Sequence, residues 1–169
     1  DGFAGDSRDT SLNLSKPLEL FISTTKPYTA LESSTYAALW DAFRRAVGPT
    51  PLVGPVPPFD TCYAADTFIP GSRVPNHPLA FGPVITLRLA GGATWTVSAP
   101  KYFVRPTPGL DVACFGFVDA GPDQPNVLGT FQQEGNLFEF DVPRSTLAFQ
   151  RMYESDAPEN FLTDCSYLL

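Results

Sequence analysis

Proline and glycine punctuate this chain so often that long uninterrupted helices and coiled coils are excluded from the start. Eighteen Pro and 13 Gly fall within 169 residues, and each proline removes a backbone donor and fixes its own φ. Only 17% of residues are charged, while 14 Phe sit in an aromatic content of 13%. A chain with that much apolar surface to bury argues against disorder. The expectation is a turn-rich, mostly β domain, and 169 residues suffice for one domain or for one lobe of something larger.

One stretch reads as a helix. Tyr36, Leu39, Trp40, Phe43 and Val47 recur at i, i+3, i+4, i+7 and i+11, which puts them on one face of a 3.6-residue period. Ser33 or Ser34 supplies the expected N-cap, Gly48 sits at the C′ position, and Pro49 stops the helix. The outward face carries Asp41, Arg44 and Arg45, and the aromatic stripe reads as packing. Pro49, Pro51, Pro55, Pro57 and Pro58 then make a stiff extended connection that delivers Cys62. The segment 68–78, rich in Pro and Gly, is too broken for regular structure and reads as a surface loop.

From Val84 onward the pattern is β. Strands are expected at 84–89, 94–97, 102–104, 112–118, 127–131, 137–140 and 147–149, with Gly91-Gly92 marking a hairpin between the first two. Leu18 to Ser23 has strand composition as well, and residues 1–17 are polar and aperiodic. No repeat of fixed period appears, so propellers and solenoids are not supported.

Eleven Lys plus Arg against 18 Asp plus Glu give a net charge of −7, which repels a polyanion and makes nucleic acid a poor partner. No apolar run approaches the roughly 18 to 20 residues that span a bilayer. A chain beginning at Asp1 without a leader reads as a processed, soluble piece. Cys62, Cys114 and Cys165 are too widely spaced for a CxxC redox or zinc pattern, and His77 is the sole histidine, so neither a metal nor a cofactor is expected. In an oxidising compartment, an odd cysteine count suggests one internal disulfide and one half-cystine whose partner lies on another chain. Asn13-Leu14-Ser15 is an N-glycosylation sequon that fits a secretory route.

Three segments carry a family resemblance. The first is Ile22-Ser23-Thr24-Thr25-Lys26-Pro27-Tyr28-Thr29-Ala30-Leu31, followed by Tyr36. The second is Phe59-Asp60-Thr61-Cys62-Tyr63 with Gly91-Gly92-Ala93-Thr94-Trp95-Thr96-Val97. The third is Val127-Leu128-Gly129-Thr130-Phe131-Gln132-Gln133 leading into Phe138-Glu139-Phe140-Asp141 and Leu147-Ala148-Phe149. Together they resemble the C-terminal lobe of pepsin-like proteins, in the plant branch that holds nepenthesin-type proteases and wheat-type xylanase inhibitors. The resemblance implies an all-β fold with one or two short helices, the C-terminal lobe of a double barrel. It makes 1–17 an irregular N-terminal segment and 18–169 the lobe, one part of a two-lobed or two-chain protein. It further implies that Cys62 pairs with Cys114 and that Cys165 pairs with the N-terminal lobe or another chain. Closing that 52-residue separation stabilises the lobe by roughly 4 kcal/mol through chain entropy.

Active members of the resembling family carry Asp-Ser-Gly where this chain has Ser23-Thr24-Thr25. An aspartic protease needs two adjacent carboxylates sharing a proton, one acting as acid and the other as base. A serine hydroxyl cannot hold that proton, so peptide hydrolysis is not expected and no residue is assigned as catalytic. The resemblance narrows to the inactive branch of xylanase inhibitors, extracellular endoglucanase inhibitors and basic seed globulins. It implies secretion to the apoplast or cell wall.

In the inhibitors, two loops of this lobe plug the cleft of a microbial glycoside hydrolase and must answer its carboxylate pair. The first loop here offers Phe68 and Arg73, whose guanidinium fork suits two carboxylates. His77 in the same loop is a substitute imidazole. An ordinary solvated loop charge and an ordinary loop histidine are the plain alternatives for Arg73 and His77. The second loop has Phe161 where xylanase inhibitors place a histidine, and Glu154, Asp156 and Glu159 add negative charge that disfavours an acidic cleft. The acidic run 154–164 lacks calcium-ligand spacing, and Glu134 with Glu139 is explained better as part of a strand than as a glycosidase pair. The function expected is inhibition of a xylanase or endoglucanase. A non-inhibitory storage globulin, or one that binds carbohydrate or peptide, is the alternative.

Overall fold

A computed structural model describes residues 9–11, 18–65, 83–89, 92–97, 99–107 and 110–152. The chain divides into two units, 1–132 and 133–169. In chain order the elements are β1 (Asp9–Ser11), β2 (Phe21–Ile22), β3 (Thr29–Glu32), α1 (Ser33–Val47), β4 (Cys62–Ala64), β5 (Val84–Arg88), β6 (Thr94–Val97), the single turn α2 (Ala99–Tyr102), β7 (Phe103–Val104), β8 (Val112–Phe115), β9 (Phe117–Gly121), β10 (Val127–Leu128), the single turn α3 (Thr130–Gln133), β11 (Asn136–Asp141) and β12 (Thr146–Arg151). Among the described residues the fold is thus mostly β with one helix of 15 residues.

Helix α1 forms where the aromatic periodicity requires it, and it buries Tyr36, Leu39 and Phe43. Its cap differs from the expected serine. Glu32 ends β3 in extended conformation, and its carboxylate accepts from the amides of Ser34 at 2.9 Å and Thr35 at 3.3 Å. Bonds from the Ser34 hydroxyl and amide hold that carboxyl below the usual carboxylate range. Ser33 is unavailable as a cap because its hydroxyl donates to Asp119 Oδ1 at 2.8 Å. The helix ends at Gly48, whose φ of +80° suits glycine and whose N–H donates to Arg44 O at 3.0 Å.

Phe43 projects from α1 into an aromatic core. Its ring centroid lies 5.3 Å from Tyr102, 5.8 Å from Phe103 and 4.5 Å from Phe115. Burying such a ring contributes about 1.5–3 kcal/mol. β5 and β6 pair antiparallel, with Ile85, Leu87, Trp95 and Val97 buried in strict alternation. Gly92 lies between them at φ +86°, in accord with the hairpin signal. Cys62 and Cys114 stand directly opposite each other on β4 and β8 and form a disulfide.

Four expectations shift. The stretch 112–118 is two strands, not one. Gly116 turns the chain between sheets, its N–H donating to Tyr102 O at 2.7 Å, and a Cβ there would meet Val104 Cγ2 at 2.8 Å. The stretch 127–131 is a two-residue strand followed by α3, and Tyr102 closes α2 instead of opening a strand. Residues 9–11, within the stretch expected to be irregular, form β1 parallel to β5. That pairing is made by backbone groups of three polar residues, so no apolar periodicity could announce it.

The second unit contains an antiparallel ribbon, β11 with β12, in register from Asn136↔Arg151 to Asp141↔Thr146. Its turn is closed by Ser145 N–H donating to Val142 O at 3.1 Å and by Arg144 N–H donating to Asp141 Oδ1 at 3.0 Å. Phe138, Phe140, Leu147 and Phe149 share one face, because Phe138 opposes Phe149 and Phe140 opposes Leu147.

Candidate functional site

The candidate site is the loop that leaves β2 at Ser23 and enters β3 at Thr29. Its sheet has the order β2-β10-β3-β9. β10, made a hundred residues later in the chain, therefore lies between the two strands that carry the loop. It runs parallel to β2 and antiparallel to β3. Asn126, just before β10, ties both neighbours together. Its Oδ1 accepts from Glu32 N–H at 2.9 Å and its Nδ2 donates to Glu19 O at 3.3 Å.

The loop is pinned along its length. Ser23 N–H donates to Leu128 O at 3.1 Å, Thr130 N–H to Lys26 O at 2.8 Å, and Phe131 N–H to Pro27 O at 2.9 Å. Gly129 passes so close to the loop backbone that a Cβ would lie 2.2 Å from Tyr28 C, so only glycine fits. Beneath it Gln132, 1% exposed, makes the central connection. Its Oε1 accepts from Thr29 N–H at 3.0 Å and from Thr29 Oγ1 at 2.8 Å, and its Nε2 donates to Gly116 O at 2.8 Å. Thr29 Oγ1 in turn accepts from Gly129 N–H at 3.1 Å. Tyr28 packs edge-on against Phe59 at 4.7 Å and Phe131 at 6.2 Å.

This rigid frame presents hydroxyls. Ser23 is half-buried, while Thr24 and Thr25 are exposed. Ser23 Oγ accepts from Thr25 N–H at 3.3 Å and Lys26 N–H at 3.1 Å, and lies 3.3 Å from Thr25 Oγ1. Residues 23–25 supply no carboxylate, imidazole or thiol. A hydroxyl that accepts two backbone amides is not a group that exchanges protons near neutral pH. Among the described residues no three His, Cys, Asp or Glu side chains gather as a metal site, and no helix is long and apolar enough to cross a membrane.

Of the residues singled out from sequence, Ser23, Thr24 and Thr25 come together in this loop, and Cys62 and Cys114 bond elsewhere in the same unit. Phe68, Arg73, His77, Phe161, Asn13 and Cys165 lie outside the described residues. Gln132 and Asn126 were not recognised as supports of the site. Their only signal was a polar side chain beside an apolar strand, and their partners lie about a hundred positions away.

The family model described as xylanase inhibitor C-terminal matches residues 7–151. The chain belongs to the xylanase inhibitor C-terminal family. Within it, gamma conglutin 1 of Prunus dulcis is 37% identical over 135 residues, covering 76% of this chain and 29% of that protein. Chitinase CLP of Oryza sativa subsp. japonica is 32% identical over 156 residues, covering 86% of this chain and 35% of that protein. The crystal structure of conglutin gamma, a basic 7S globulin from lupine seeds, superposes with a TM-score of 0.63 at 31% identity, over 78% of this chain and 32% of that one. The chain thus spans about a third of the length of the relatives it matches. Its fold is that of the C-terminal lobe of these pepsin-like proteins, and its family is the inactive pepsin-like type.

Proposed function

We propose that the chain is the C-terminal lobe of a non-catalytic pepsin-like protein that inhibits a microbial endo-xylanase or endoglucanase by inserting loops into the target's cleft. Membership of residues 7–151 in the xylanase inhibitor family carries this reading. In it, Ser23 stands where an active protease lobe holds its catalytic Asp. The hydroxyl geometry of residues 23–25 supports the loss of acid–base chemistry. Phe68, Arg73, His77 and Phe161 are the target-facing residues, with Arg73 answering the carboxylate pair. The first part of the same protein is the partner, joined through Cys165. The Cys62–Cys114 disulfide supports an oxidising, extracellular setting, the apoplast or cell wall, where Asn13 is open to glycosylation.

A panel of family 11 xylanases and family 12 endoglucanases, assayed with the whole protein purified without reductant, tests the proposal. Loss of hydrolase activity together with a complex on gel filtration is the expected result. No loss and no complex across the panel removes it. The second reading is a storage globulin, or one that binds carbohydrate or peptide. It is favoured by the 37% identity to a gamma conglutin, and the same negative panel result would leave it standing. Hydrolysis of a denatured protein at acid pH, blocked by pepstatin, would overturn both.

A further inference from the structure

We infer that Glu32 and Asp119 form an acid-sensitive clasp on the frame of the 23–29 loop. While both carboxylates are ionised they hold the head of α1 and the end of β9 to the sheet that carries the loop, and protonation releases them. The inference does not depend on whether the longer protein is an inhibitor or a globulin.

The ladder between β3 and β9 is irregular where the clasp sits. Leu31 pairs with Asp119 but Glu32 pairs with Gly121, so the register shifts at the point where β3 gives way to α1. Regular backbone pairing is interrupted there, and carboxylate oxygens supply the missing acceptors. Oε2 of Glu32 accepts from the amide and the hydroxyl of Ser34 and from the amide of Thr35. Oδ1 of Asp119 accepts from the Ser33 hydroxyl and the Gly121 amide, both at 2.8 Å. Ser33 and Ser34 are thus held by acids from two different strands.

The same junction reaches the loop. Glu32 N–H donates to Asn126 Oδ1 at 2.9 Å, and Asn126 O accepts from Phe21 N–H at 2.9 Å. Phe21 stands two residues before Ser23. A run of bonded neighbours therefore leads from Asp119 through Ser33, Glu32 and Asn126 to the strand that launches the loop.

Hydrogen bonds to ionised acceptors are roughly twice as strong as neutral ones, and the helix dipole favours an anion at the start of α1. Protonation removes both gains. Glu32 is half-buried and Asp119 exposed, so protons reach them in the folded state. The groups bonded to the pair, Ser33, Ser34, Thr35 and Gly121, are neutral. Among the described residues, the titratable groups that bear on the pair from other elements are the two acids themselves, across β3 and β9, and the phenol of Tyr36 on α1, which stays neutral in acid. The Ser34 bonds hold the Glu32 carboxyl below its ordinary value of 4.5. Its contribution is therefore complete above pH 4.5 and is lost as pH falls through the lower, folded value.

Amide hydrogen exchange of the whole protein at about pH 6 and about pH 3, corrected for the intrinsic rate at each pH, tests the clasp. Residues 33–35 and 119–121 should lose at least tenfold in protection on acidification and residues 21–28 at least threefold, while 39–47 and 112–116 keep theirs. Glu32→Gln with Asp119→Asn keeps a neutral acceptor at each position, so its protection should differ by less than twofold between the two pH values. Ser33→Ala, which removes only the hydroxyl that Asp119 holds, should loosen 119–121 already at the higher pH. Unchanged protection of the wild type in acid would overturn the inference, as would an undiminished acid response in the double variant or unchanged exchange of 119–121 in Ser33→Ala. Loss of protection at 39–47 and 112–116 together with the rest would overturn it too, because the acid response would then be global unfolding and not the opening of a clasp.

Discussion

Gln132 holds Thr29 twice, its Oε1 accepting from both the amide and the hydroxyl of one residue at 3.0 and 2.8 Å. The side chain is sealed from water, so these bonds have no substitute. Gln132→Leu strands the Thr29 amide and the Gly116 carbonyl, each an unsatisfied buried group that costs about 1–3 kcal/mol. The variant should unfold at clearly lower denaturant concentration, by a total of about 2–5 kcal/mol. Gln132→Glu should restore part of this at low pH only, where a protonated acid can still donate to Gly116. Equal stability of wild type and Gln132→Leu would show that the connection is not needed.

Gly129→Ala should prevent folding of the first unit. Its Cβ would fall 2.2 Å from the Tyr28 carbonyl carbon and 2.6 Å from the Thr29 amide nitrogen, both backbone atoms that cannot step aside. A loss above about 4 kcal/mol is the expectation for such a clash. Gly54→Ala meets nothing within 4 Å and serves as the control, with unchanged circular dichroism.

Removing a polar atom should stabilise the core at Tyr102. Among the described residues its buried hydroxyl has no hydrogen-bond partner, and burial pushes its phenol up. Tyr102→Phe keeps the ring against Phe43 and Phe115 and deletes the orphan, so stability should rise by about 1 kcal/mol or more. A fall in the thermal midpoint would mean that the hydroxyl has a partner in solution.

Alkali should unfold the first unit through Tyr36 and Tyr63. Both phenols are pushed up to about 12, chiefly by burial, with the negative charge of Asp60 adding to the effect at Tyr36. In the unfolded chain they ionise near 10. A raised folded pKa gives a contribution fully present below pH 10 and lost as pH rises through 12. Phenolate absorbance should rise first from the exposed tyrosines and again in step with loss of ellipticity. A single smooth titration with no coupled unfolding would contradict the burial of these two rings.

The inhibitor reading predicts that Phe68→Ala and Arg73→Ala each weaken inhibition of the responsive hydrolase by about tenfold or more, or ~1.4 kcal/mol. The Arg73 effect should shrink at high salt. His77→Ala should remove any strengthening of inhibition that appears as pH falls toward the imidazole range. Unchanged potency in all three variants would place the contact elsewhere.

What was legible in the sequence follows the range of the forces involved. Helix α1 and the β5–β6 hairpin announce themselves because their periodicity and turn residues are local, within a few positions of each other. The Glu32 cap was missed because a competing acceptor, Asp119, takes Ser33 from 86 residues away. Gly116 looks like one more small residue in a β run until Tyr102 and Val104 approach it. The hydroxyl triplet at 23–25 was readable from family resemblance, whereas the Gln132 and Asn126 supports depend on contacts about a hundred residues apart, which no spacing rule reaches.

The placement of β10 between β2 and β3 also sets an order of events during synthesis. The two strands that flank β10 leave the ribosome with a vacancy between them, and the Gly129–Thr29 bond that closes the loop spans 100 residues. While the intervening chain is being made, β2 has no neighbour to pair with on that side, and its apolar Phe21 and Ile22 wait unpaired. Such long-range closure is slow and exposes strand edges meanwhile. A nascent chain stalled before Val127 would therefore present an open seam at the site, because β10 alone joins β2 to β3.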